Sequence, residues 1–147
     1  MKDYVGYTSF VALIDDDDRS ADLLTRTLVA QSAPGVQYYG GAVAALSRLQ
    51  AVLSDKSASR PAMVVVDLKA NSTANLDYLA SLAPLINQID IPFVVLSAQA
   101  DTQSPALLDN GAAAVFVRHA DRDAYRRVAS DILEFGALTQ PPVAVGM

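Results

Sequence analysis

Four aspartates in a row, Asp15, Asp16, Asp17 and Asp18, follow the apolar run Phe-Val-Ala-Leu-Ile at residues 10–14. Carboxylates crowded at the end of a buried strand repel one another, so something cationic is expected among them. A divalent metal, or a phosphoryl group held through one, would meet that need. The alternative is a solvated loop that opens a helix, where aspartate caps free amides and favours the helix dipole. Three further polar residues end apolar runs elsewhere in the chain: Asp67 after Met-Val-Val-Val, Ser97 after Phe-Val-Val-Leu, and Arg118 after Ala-Ala-Ala-Val-Phe-Val. Together they suggest phosphoryl chemistry. Mg²⁺ keeps several of its waters, so a few carboxylates suffice to hold it. Asp16 and Asp67 would be direct ligands, with Asp15 acting through water. Asp67 could attack phosphorus to form an acyl phosphate, while Ser97 and Arg118 take the phosphoryl oxygens.

These residues need a scaffold that brings strand ends together. The runs at 10–14, 63–66, 93–96 and 112–117 are short and mostly Val-rich, as strands buried on both faces are. Residues 36–39 read as a weaker strand nearer an edge. Helical spacing fills the gaps: Leu24 and Leu28; Val43, Leu46, Leu49 and Leu53; Leu76, Leu79, Leu82 and Ile86; Tyr125, Val128 and Ile132. A short helix with Leu107 and Leu108 is expected between Thr102 and Asn110. Five strand-helix units imply an α/β fold, a five-stranded parallel sheet doubly wound with helices on both faces. In such sheets ligands bind at the carboxyl ends of the strands, where the strand order reverses. One domain is expected over residues 1–136, with a poorly ordered tail at 137–147.

Composition narrows the function. The 147 residues are 52% hydrophobic and 18% charged, enough for one domain with a real core. The net charge of −5 and the lack of a basic cluster argue against nucleic-acid binding. There is no cysteine, which excludes thiolate metal sites and Cys nucleophiles. No run approaches the ~18 apolar residues that span a bilayer, and the first residues lack a signal-peptide core. A cytoplasmic protein without a membrane partner is the expectation.

These residues resemble the CheY-like receiver domain of two-component response regulators, over roughly residues 9–135. Ile14-Asp15-Asp16-Asp17 is similar to the family's acidic motif. Pro61-Ala-Met-Val-Val-Val-Asp67-Leu68 is similar to its phosphoacceptor strand, and Ile91-Pro-Phe-Val-Val-Leu-Ser97-Ala98 to its switch strand. Gly111-Ala-Ala-Ala-Val-Phe-Val-Arg118 is similar to the segment ending in the family's lysine. The resemblance implies strand order 2-1-3-4-5 and a phosphoryl group taken by Asp67 from a histidine kinase or phosphotransfer protein. It implies Mg²⁺ held by Asp15, Asp16, Asp67 and the Lys69 backbone carbonyl. Ser97 would move toward the phosphoryl group. The signal would leave through the surface of the fourth helix, fifth strand and fifth helix, roughly residues 104–128, to a downstream protein. A homodimer through those helices is open. The stretch 118–128 is also similar to stand-alone receivers of the phytochrome-associated kind.

Three positions and one loop depart from the family pattern. Arg118 replaces lysine, and His119 replaces the following proline and is read as an exposed loop residue. Val115 replaces an aromatic residue, with Phe116 on the other strand face. In the loop after Asp67, Asn71 stands for proline and Asn75 for glycine, where Asn75 is expected to keep a left-handed backbone. These departures keep two other readings open. One is a pseudo-receiver that binds partners without phosphorylation. The other is a phosphatase of the haloacid dehalogenase kind, which would need a further acidic cluster on a later strand. Within the acidic run, Asp15 and Asp16 are assigned to metal. Asp17 and Asp18 are expected to face solvent, with Asp18 as helix cap.

Overall fold

The computed structural model describes residues 10–55, 57–86, 89–98 and 104–139, with backbone alone at 138 and 139. Five strands and five helices alternate: β1 Phe10–Asp15, α1 Asp18–Ala30, β2 Val36–Gly40, α2 Ala42–Ser54 and β3 Pro61–Asp67, then α3 Ala74–Ile86, β4 Phe93–Ser97, α4 Ser104–Asp109, β5 Ala112–Val117 and α5 Arg122–Thr139. All strand pairs are parallel, in the order β2-β1-β3-β4-β5. The order reverses at β1, so the crevice between the carboxyl ends of β1 and β3 is the topological switch point.

The apolar runs become the central strands because both sheet faces are covered. Phe10, Ala12, Ile14, Val64, Val66, Phe93 and Val95 pack with residues of α2, α3 and α4 on one face. Val11, Leu13, Met63, Val65, Val94 and Leu96 pack with α1 and α5 on the other. Every residue of β1, β4 and all but one of β3 is buried. Strand β2 has a mixed pattern and lies at the edge, as its sequence suggests. Strand β5 splits Val115 and Phe116 between the two faces, and Phe116 meets Phe135 edge-on at 6.4 Å.

Some readings of the sequence need correction. Val43 has helical spacing with Leu46 and Leu49 but is 86% exposed; Ala45, one turn from Leu49, takes the core position. Apolar character at a first helical turn does not fix burial when a smaller residue fits closer to the sheet. Helix α5 runs on to Thr139, past the expected boundary at Gly136, and residues 140–147 of the tail lie outside the described residues. The expected start of the fourth helix near Thr102 also lies outside them, as do residues 1–9 of the expected domain. Among the described residues no helix is long and apolar enough to cross a membrane.

Candidate functional site

The site begins with strand register. Asp15 and Asp67 end β1 and β3 and are register partners, so two carboxylates stand side by side at the switch point. Both are fully buried. Like charges placed opposite on adjacent strands are destabilising, so the pair requires cations. Two side chains of the chain itself supply them.

Lys69, two residues past Asp67, turns its ammonium back into the crevice. Its Nζ lies 2.6 Å from Asp15 Oδ1 and 3.1 Å from Asp67 Oδ2. It also donates to the backbone carbonyl of Asp67 at 2.8 Å. Three acceptors match the three N–H bonds of an ammonium. Arg118, just past β5, reaches across β4. Its Nε and Nη2 lie 2.7 and 2.6 Å from Asp67 Oδ1, and Nη2 donates to the Leu96 carbonyl at 3.1 Å. The guanidinium therefore converges on one carboxylate oxygen instead of forking over two. Asp67 is held from both sides, with the Ser20 hydroxyl 3.4 Å from Oδ2.

Asp15 is less well matched. Its Oδ1 accepts from Lys69 and from the Asp17 amide at 2.9 Å, but Oδ2 is buried without a hydrogen-bond partner. Burial pushes the Asp15 carboxyl up from its ordinary pKa, the Asp67 charge adds to the rise, and Lys69 opposes it.

The aspartate run divides after its first member. Asp15 is buried, whereas Asp16, Asp17 and Asp18 are exposed. Asp16 faces the loop after β3: its carboxylate accepts from the amides of Lys69 at 3.0 Å and Ala70 at 2.8 Å. Asp17, not Asp18, caps α1, accepting from the amides of Arg19 and Ser20. The cap falls one residue early because the Asp15 side chain holds the Asp17 amide and turns the chain there. Asp18 lies in the first turn and meets the Tyr38 hydroxyl at 3.0 Å. That hydroxyl is also 2.7 Å from the Asp15 carbonyl, tying β2 to the end of β1. Burial and the neighbouring Asp18 push the Tyr38 phenol up to about 12.

Ser97 ends β4 and is buried; its hydroxyl donates to the Ala98 carbonyl at 3.3 Å, and its carbonyl accepts from the Arg118 amide at 2.7 Å. That backbone bond fixes where Arg118 leaves the sheet. His119 is half-buried rather than exposed.

Sequence reasoning missed the role of Asn75. It is helical, in the first turn of α3, and has no left-handed backbone; among the described non-glycine residues only Ser32 has positive φ. Its buried amide is a clamp: Oδ1 accepts from the Leu68 amide at 2.8 Å and Nδ2 donates to the Leu96 carbonyl at 3.0 Å. The Leu96 carbonyl thus serves both Asn75 and Arg118. The signal was present, because Asn75 shares a helical face with Tyr78, Leu79 and Leu82. An asparagine on a buried face must find partners.

In this arrangement the side chains expected to hold Mg²⁺ are engaged by the chain itself, apart from the buried, unpartnered Asp15 Oδ2. Asp16 is committed to two amides, and the Lys69 ammonium stands between Asp15 and Asp67. Among the described residues no three acidic or imidazole side chains are grouped to hold a metal. The exit of β5 carries Arg118 and His119, not the acidic cluster that haloacid dehalogenase chemistry needs.

No family model matches the chain, and no curated protein matches it. Solved structures do. The manganese-bound form of the response regulator Rcp1 is 17% identical, covers 92% of this chain and 99% of its own, and superposes with a TM-score of 0.73. The phosphorylated cyanobacterial phytochrome response regulator RcpA is 21% identical over 90% of this chain and 96% of its own, also at 0.73. A CheY-like receiver domain protein from Methanospirillum hungatei is 15% identical over 89% and 95%, at 0.67. The fold is that of response regulator receiver domains.

Proposed function

We propose that this chain, built on the receiver fold, is a response regulator receiver in which Asp67 accepts a phosphoryl group from a phosphohistidine. The observation that carries the reading is the setting of Asp67. It is a buried carboxylate at the switch point, gripped by Lys69 and Arg118, with Ser97 at the next strand exit.

The step follows from these groups. An Asp67 oxygen attacks phosphorus, and the bond from phosphorus to the imidazole nitrogen breaks. The imidazole keeps the electron pair and takes a proton from solvent. The product is an acyl phosphate on Asp67, with one more negative charge than the carboxylate it replaces. Arg118 is placed to follow that charge, because guanidinium binds carboxylate and phosphate oxygens alike. The Ser97 hydroxyl is a donor within the same row of strand exits. The donor would be a sensor histidine kinase or phosphotransfer protein, and the signal would pass to a downstream protein through α4, β5 and α5.

Acetyl phosphate with Mg²⁺, read by intact mass, tests this. Wild-type protein is expected to gain one phosphoryl group and Asp67→Asn none. A wild-type chain that gains nothing, or a variant that gains as much, removes the proposal. One feature favours a second reading, a partner-binding module that works unphosphorylated: both Asp67 oxygens are already engaged and none of the residue is exposed. Partner affinity unaltered in Asp67→Asn would select it.

A further inference from the structure

The acidic pair at the switch point already has its cation. Lys69 delivers an ammonium to the place between Asp15 and Asp67 where a divalent ion would have to sit, and it uses all three of its donors there. The Lys69 side chain as a whole is 24% exposed, so it is only partly enclosed. Two more observations bear on what happens when another cation arrives. Asp15 Oδ2 is buried with no partner, an acceptor that the ammonium leaves unused. Asp16, the third carboxylate at the crevice, is engaged elsewhere: it accepts from the successive backbone amides of Lys69 and Ala70. One loop thus carries both the resident cation and the backbone that keeps Asp16 out.

We propose that the Lys69 ammonium is a tethered counter-cation, and that a divalent cation enters between Asp15 and Asp67 only by displacing it. This deepens the receiver reading by assigning a control on its cation site, though its test does not need phosphorylation. A tethered cation competes at high effective concentration, since its linker is two residues from the site. Displacement also trades one positive charge for two and gives Asp15 Oδ2 a partner. Asp16 can join only by releasing the amides of Lys69 and Ala70, so loop movement and cation entry are one event. Arg118 stays outside the exchange, because it binds the other oxygen of Asp67.

The probe is Mn²⁺ alone, titrated with the free aquo-ion followed by electron paramagnetic resonance. Lys69→Ala and Lys69→Met remove the competing charge and are expected to bind Mn²⁺ at least about tenfold tighter than wild type. Lys69→Arg restores a cation and is expected to stay near the wild-type affinity. Asp15→Asn should abolish the tight site in the Lys69→Ala background. Should either neutral variant melt at room temperature, recovery of its fold on adding Mn²⁺ supports the proposal, and no recovery overturns it. Equal Mn²⁺ affinity in wild type, Lys69→Ala and Lys69→Met also overturns it. Absence of a phosphoryl adduct on wild type would remove the receiver reading while leaving this contrast in Mn²⁺ affinity standing.

Discussion

Asp15 shows how a single carboxylate carries both the site's potential and its cost. Burial raises its pKa in the folded chain above the ordinary value, even with Lys69 beside it. A raised pKa means the protonated form is favoured by folding. The stability this contributes is full below the unfolded pKa, near 3.8, and is lost as pH rises through the higher folded value. Asp15→Asn, a permanent stand-in for the protonated form, is therefore expected to melt higher than wild type at pH 7. The gap should close on acidification toward pH 3.8; thermal melts across that range check it, and an Asp15→Asn protein less stable at neutral pH contradicts it. That Asp15 and Asp67 stand at strand exits was legible in the sequence, because an acid that directly follows a run of buried Val or Ile must sit there. Side-chain directions were not. Nothing in the spacing of Asp-Asp or of Asp-Leu-Lys says that Asp16 turns to backbone amides or that Lys69 folds back over Asp67. Such choices are made among loop rotamers by whichever buried charge lacks a partner, and that depends on which strands are neighbours.

At the scale of elements, the strands were readable because strands covered on both faces need unbroken apolar runs, and β5 matches its expected limits of 112 and 117. The helices were readable where a leucine stripe faces the sheet, as with Leu24 and Leu28 in α1 or Leu79 and Leu82 in α3. The stripe misleads where a polar residue belongs to it. Asn75 joins α3 to the exits of both β3 and β4 through two buried hydrogen bonds. Asn75→Ala leaves the Leu68 amide without that acceptor and the Leu96 carbonyl with Arg118 alone. Each buried group stranded in this way costs about 1–3 kcal/mol, so denaturant unfolding should show a loss of that order. A variant as stable as wild type would mean that water reaches these groups and that the clamp does not set the spacing of the two strand ends. Pro84 lies inside α3 and removes one helical amide, yet the helix continues to Ile86 because Leu79 and Leu82 anchor it to the sheet.

Across the whole molecule, charges are sorted by strand end. At rest, Asp15 and Asp67 are balanced by Lys69 and Arg118, so the crevice is close to neutral although the chain carries a net charge of −5. Groups at the ends of β1, β3 and β4 and just past β5, with the loop after β3, meet in this one cluster through ion pairs and hydrogen bonds. The Asp16 carboxylate adds a built-in clock. The amides of Lys69 and Ala70 lie on an exposed loop, where deuterium ordinarily replaces hydrogen quickly. Bound to Asp16, they are protected for as long as that loop stays closed. Their exchange in heavy water should be slower than at the neighbouring Ser72 amide and faster than in the core amide of Val65. Asp16→Asn, which weakens the acceptor, should speed both amides while leaving Val65 unaltered; equal exchange before and after the substitution would mean the loop opens without regard to Asp16. Two protons would thus time the opening of a single loop while the rest of the domain stays folded.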